Sequence, residues 1–206
     1  EDQKQGEKVK VTCTKSNEGF ATAGGVQYVA CAGNFKDAGL EYTGALKVLQ
    51  MIFSYEYLWI QIRVKGGAYG CMCSFSDQGD SMFVTYRDPN LSESYKVYDE
   101  AADYVADFDA DDRDMKKYII GTIGSMDMPM EAVDMGARSF HAYFLGKTEA
   151  DLQKVRDQVL SCTQEDIRAL APIVKAVVEA GNRCCIGNEE KIDQNKEYFD
   201  EVKHVL

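Results

Sequence analysis

Apolar residues recur along the chain at spacings that change from segment to segment. "VKVTC" and "GVQYVACAG" alternate or run apolar with β-branched residues, which predicts strands over 8–13 and 25–33. In "LEYTGALKVLQMIFSYEYLW" the residues Ala45, Val48, Leu49, Ile52 and Phe53 fall at helical spacing, predicting a buried helix of about four turns that ends before Arg63. "YGCMCSFS" and "SMFVTYRD" flank the turn-forming "DQGD", the pattern of an antiparallel hairpin, and Pro89 stops its second strand. A helix follows over 92–108, opened by an Asn90-x-x-Glu93 cap and carrying Tyr95, Tyr98, Ala102 and Val105 on one face. Further helices are predicted over 111–125, 130–145 and, opened by Thr148-x-x-Asp151, 149–160. Thr163-x-x-Asp166 caps another, which Pro172 breaks or kinks and Gly181 stops. "RCCIG" is a short strand and 189–204 a closing helix.

A hairpin followed by clustered helices implies an α+β two-layer sandwich, a mainly antiparallel sheet with helices on one face, and not a doubly wound parallel sheet. Residues 1–7 are polar and read as a linker or end segment. No internal repeat interrupts 8–206, which reads as a single domain.

Twenty-three basic against thirty-four acidic residues give a net charge of −11. Such a chain repels phosphate backbones, which argues against nucleic acid and anionic membrane as partners and makes any charged ligand basic. No apolar run approaches the ~20 residues that a membrane span requires. The seven cysteines, an odd number, fall mostly in apolar runs; "CMC" and "CC" lack zinc-knuckle spacing, so they read as reduced core residues in a cytoplasmic protein.

Candidate chemistry is sparse. Of the two histidines, His141 in "RSFHAYFL" reads as a core or boundary residue and His204 as a solvated one near a frayed end; neither has a companion at metal spacing. The acidic run "DEAADYVADFDADDRD" lacks the glycine and closing glutamate of a calcium loop and reads as a solvated helix face. "RVKGGAYG" places three glycines beside Arg63, Lys65 and Tyr69. It lacks the order of a phosphate loop and leads into a strand. A tight helix-to-strand turn explains the glycines but leaves Arg63 and Tyr69 without a role.

Three stretches, "YLWIQIRVKGGAYGCMCSF", "VTYRDPNL" and "MKKYIIGTIGSMDMP", set within a match running from "VQYVACAGNF" to "EDIRAL", resemble the C-terminal domain of the presequence-protease branch of the pitrilysin and insulinase-type zinc metallopeptidases. The resemblance implies a polypeptide several times longer, built of four similar α/β domains paired into two halves that close around a peptide chamber. Its inverted zinc motif, His-x-x-Glu-His, belongs to the first domain and is absent here, so zinc would be bound outside this chain and this chain would be inactive alone. The partners implied are the N-terminal domains of the same polypeptide and unfolded peptide substrates. The resemblance assigns catalytic and substrate-binding roles to Tyr69 and Arg63, with Gly66 and Gly67 admitting an extended peptide; Lys65 reads as a solvated or substrate-facing charge and not as a catalytic group. The alternative is a non-catalytic structural or peptide-presenting relative of the same fold. An intact Arg63 and Tyr69 favour the active family.

Overall fold

In the computed structural model, residues 9, 12 and 14–205 are described. The strand expected over 8–13 lies outside these apart from Val9 and Thr12. Among the described residues six strands form one sheet: β1 (Glu18–Thr22), β2 (Tyr28–Asn34), β3 (Gly70–Phe75), β4 (Asp80–Tyr86), β5 (Asn182–Asn188) and β6 (Glu201–His204), in the order β3-β4-β2-β5-β1-β6. The pairs β3–β4, β4–β2 and β2–β5 are antiparallel, whereas β1 runs parallel to both β5 and β6. The sheet is therefore mainly antiparallel with a parallel flank.

Alternation decides which face is covered. Val29 and Cys31 of β2, Phe83 of β4, Cys73 and Phe75 of β3 and Cys185 of β5 are buried, while Met72, Met82, Tyr86 and Ile186 point to the open face. The buried face meets α1 (Ala45–Tyr55) through Val48, Leu49, Ile52 and Phe53, as the periodicity predicts. It also meets α8 (Ala171–Glu179) through Val174 and Val177.

The helix expected over 92–108 is two, α2 (Ser92–Asp99) and α3 (Ala101–Ala106), which meet at Glu100 where ψ opens to −5°. The apolar stripe runs on across the break, so periodicity alone reads one helix. Tyr95 and Tyr98 are fully buried, and their hydroxyls donate to the carbonyls of Cys184 and Val29, 3.1 Å each, tying α2 to two strands. Burial without those bonds would cost roughly 1–3 kcal/mol per hydroxyl.

Next come α4 (Asp112–Met126), α5 (Ala132–Phe144), α6 (Glu149–Leu160) and α7 (Gln164–Arg168). Both predicted Thr-x-x-Asp capping boxes form, at Thr148 and Thr163. Pro172 lies in the first turn of α8, where its missing N–H costs nothing, so it opens a helix.

The closing helix expected over 189–204 is a correction. Only α9 (Glu189–Gln194) is α-helical, with a single 3-10 turn, Lys196–Tyr198, after it; the Asn195 amide donates to the Lys191 carbonyl at the end of α9. The chain then turns back so that Asp200 and Glu201 donate backbone N–H groups to the Asn17 carbonyl, seeding β6 beside β1. β1 and β6 are short, and their pairing is set by distant residues that no local period reveals.

His141 is also corrected: it is exposed on α5, not in the core or at its boundary. His204 is exposed but sits in β6, its Nδ1 3.4 Å from a Glu189 carboxylate oxygen. The six cysteines described are free. Burial pushes the thiols of Cys31 and Cys71 up to about 11 and those of Cys162 and Cys185 up to about 12, which keeps them protonated and unreactive at neutral pH. Cys184 departs from the expected core role and is exposed.

Candidate functional site

The helix predicted to stop before Arg63 instead turns at Glu56 and continues as a π-helical segment, Trp59–Lys65, that carries Arg63. Wide π-turns occur frequently at functional sites, because the extra residue per turn re-aims a side chain. Here Arg63 lies between two aromatic rings, its Cζ 5.4 Å from the Trp59 centroid and 5.7 Å from that of Tyr69. One guanidinium nitrogen, Nη1, donates to the Ala68 carbonyl at 3.1 Å. Its Nε is buried without a hydrogen-bond partner. Such an orphaned donor costs roughly 1–3 kcal/mol, which an arriving acceptor can recover.

Tyr69 stands at the entrance to β3 and is 67% exposed. Its backbone N–H donates to the Arg87 carbonyl at 3.3 Å, and Arg87 itself has φ +50°. The Tyr69 ring meets Tyr86 edge-on at 5.8 Å, and Tyr86 meets Tyr28 at 5.4 Å, so three tyrosines make a row across the open sheet face. Lys65 is exposed and reaches only the Gln61 side chain, in keeping with a solvated charge.

The two glycines between Arg63 and Tyr69 answer to the backbone first. A Cβ on Gly66 would sit 2.6 Å from the Ile62 carbonyl oxygen, and Gly67 has φ +79°. A side chain at either position would displace the turn that sets the separation of Arg63 and Tyr69.

Asn90 is the residue of this site that sequence reasoning misplaced. Expected to cap α2, its side chain makes no cap; the amide donates to the Gly66 carbonyl at 2.7 Å. The Asn90 backbone N–H donates to Asp88, which accepts from Ser94 Oγ at 2.6 Å and is paired through its backbone with Gln27. Burial raises the Asp88 carboxyl above its usual range despite these donors. The chain Ser94–Asp88–Asn90–Gly66 fastens the arginine–tyrosine turn to the sheet. The visible signal was the crowding of "RDPN", where Pro89 removes a donor and leaves Asn90 free to reach outward. Trp59 was legible only as the residue four before Arg63.

Asn90→Asp tests this anchor. A carboxylate cannot donate to the Gly66 carbonyl, so the variant is expected to lose about 1–3 kcal/mol at pH 8. The carbonyl and the nearby Asp88 raise the folded pKa of the new carboxyl. Its stability is then greatest below its unfolded pKa of about 3.9 and falls as pH rises through the folded value, so the deficit against wild type shrinks on acidification. Paired thermal melts at pH 8 and pH 5 check this; a deficit that grows on acidification refutes the bond.

Beside Trp59 opens a cavity of about 1200 Å³ along the outer side of α1, between the β3 edge, α4 and α6; Tyr55, Phe75, Met126 and Leu152 line it. Among the described residues no group of three or more His, Cys, Asp or Glu could hold a metal ion. No helix among them is long and apolar enough to cross a membrane.

A helix-backed sheet of this topology has the fold of pitrilysin-type peptidase domains. The peptidase M16 inactive domain from Pseudomonas fluorescens superposes with a TM-score of 0.59 at 15% identity, over 84% of this chain and 43% of that one. Pitrilysin superposes with a TM-score of 0.55 at 14% identity, over 85% of this chain and 20% of that one. The chain matches the family model of the PreP C-terminal domain over residues 17–188, and it belongs to that family. Protein HypA of Clostridium perfringens is 43% identical over 93% of this chain and 20% of its own length. Presequence protease 1, chloroplastic/mitochondrial, of Arabidopsis thaliana is 34% identical over 92% of this chain and 18% of its own. The chain thus spans about a fifth of the length of these curated relatives.

Proposed function

We propose that this chain is the substrate-binding, chamber-closing C-terminal domain of a zinc metalloendopeptidase that degrades unstructured peptides in a reducing compartment such as the cytoplasm. One observation carries the reading: a phenol and an arginine, set side by side on a braced glycine turn at an open sheet face, with the arginine's Nε unpartnered. A peptide carbonyl gains negative charge when water attacks it. The Tyr69 hydroxyl is suited to donate to that oxygen as the charge develops, and Arg63 to hold a neighbouring backbone carbonyl. Gly66 and Gly67 keep the turn free of side chains, so an extended peptide can approach. The net charge of −11 favours basic peptides. Zinc and the residues that bind it belong, in this reading, to the remainder of the polypeptide, the N-terminal domains against which this one closes.

The complete polypeptide is expected to hydrolyse an unstructured basic fluorogenic peptide, to stop after chelation, and to recover with added zinc. The 206-residue chain alone is expected to hydrolyse no peptide and to bind no stoichiometric zinc. Peptide binding by the complete protein without hydrolysis at any zinc concentration would instead favour a non-catalytic, peptide-presenting relative. Stoichiometric zinc retained by the chain alone after mild chelation would overturn the division of labour.

A further inference from the structure

The helix α5 is amphipathic the wrong way round. Val133, Gly136, Ala137, Phe140, Tyr143 and Phe144 recur at helical spacing and share one face, and every one is exposed. Val133 is 74%, Phe140 65% and Phe144 68% exposed; the Phe140 and Phe144 rings meet with centroids 4.6 Å apart, and Phe144 meets Tyr143, on the same stripe, at 6.0 Å. Arg138, on the opposite side of the helix, lines the cavity along α1. The polar side therefore faces inward and the apolar side outward, and none of the thirteen residues is buried.

A helix of this length is marginal in water even with good formers, and this one carries Gly136 at its centre, a cost of about 1 kcal/mol. Its stability has to come from something packed on the apolar stripe. Phenylalanine, tyrosine and methionine are the residues enriched in buried interface cores, from which lysine and glutamate are depleted, and the stripe has neither of the latter.

We infer that the apolar stripe of α5 is an intramolecular docking surface, covered in the complete polypeptide by a segment outside this chain. The occupant follows from length. The helix lies inside the matched family region, and the curated relatives carry about four-fifths of their residues beyond the part this chain matches. The inference does not depend on the peptidase reading.

The test uses the complete polypeptide with p-benzoylphenylalanine in place of Tyr143, an exposed ring whose replacement leaves the core untouched. Irradiation followed by peptide mapping is expected to give adducts to residues outside this chain, in a yield independent of protein concentration. Hydrogen exchange over 132–144 should be at least tenfold slower than for an unprotected helix of this length. Adducts only to α1, α4 or α6 would mean that the helix folds over its own groove, and would overturn the inference. So would a cross-linked dimer whose yield rises with concentration, since the occupant would then be a second copy. Absence of adducts with fast exchange would overturn it as well, leaving the stripe uncovered.

Discussion

Tyr69→Phe in the complete polypeptide is expected to lower peptide turnover by about 10²- to 10³-fold, the usual cost of one donor to a developing oxyanion. The substitution removes one hydroxyl and almost no volume. The edge-on contact with Tyr86 survives in phenylalanine, as does the backbone bond to Arg87, so folding should be unchanged. A donor used only as charge develops acts on kcat and leaves KM nearly still. Stopped assays of the variant beside its melting curve separate the roles. A fully active Tyr69→Phe protein would make the ring a packing element and end the assignment.

Arg63→Ala should divide activity from stability in the opposite manner to an ordinary part-buried arginine. Two ring contacts, each of the order of 0.5–2 kcal/mol, and the Nη1 bond to the Ala68 carbonyl, about 1 kcal/mol, are lost, but the orphaned Nε leaves with them and returns roughly 1–3 kcal/mol. The melting temperature is therefore expected to fall only modestly. Turnover of unstructured peptides should fall by about 10²-fold with a raised KM, since a group that grips the backbone acts before and during the reaction. Arg63→Lys keeps the charge but not the planar fork, and should restore little of the KM. A loss of several kcal/mol of stability in Arg63→Ala would mark the residue as structural instead.

The parts of the fold that were legible in the sequence are those whose signal is local. Ala45 to Phe53 repeat at the helical period, "DQGD" turns a hairpin, and Thr148 and Thr163 each carry their partner three residues on. The parts that were not legible depend on distant partners. "EGFAT" becomes β1 because β5 and β6 lie on either side of it, and "EVKH" becomes β6 because Asn17 accepts its first N–H groups. Asn90 shows the limit within the site: its place before α2 fits a cap, and only the arrival of Gly66 next to it decides otherwise. Arg63 and Tyr69 were found because their spacing matches a family. Nothing in periodicity or composition distinguishes them from a solvated arginine and a surface tyrosine.

The wide turns of Trp59–Lys65 mean that the direction of Arg63 is a matter of helical phase. A π-turn takes more residues than an α-turn, so each residue advances it by somewhat less than the α-helical ~100°, and one residue more or fewer between Trp59 and Arg63 would turn the guanidinium by about that much away from the Trp59 ring. On the proposed reading, an insertion or deletion here is expected to lower peptide turnover more than a substitution within the segment does, while the melting temperature moves less than the activity.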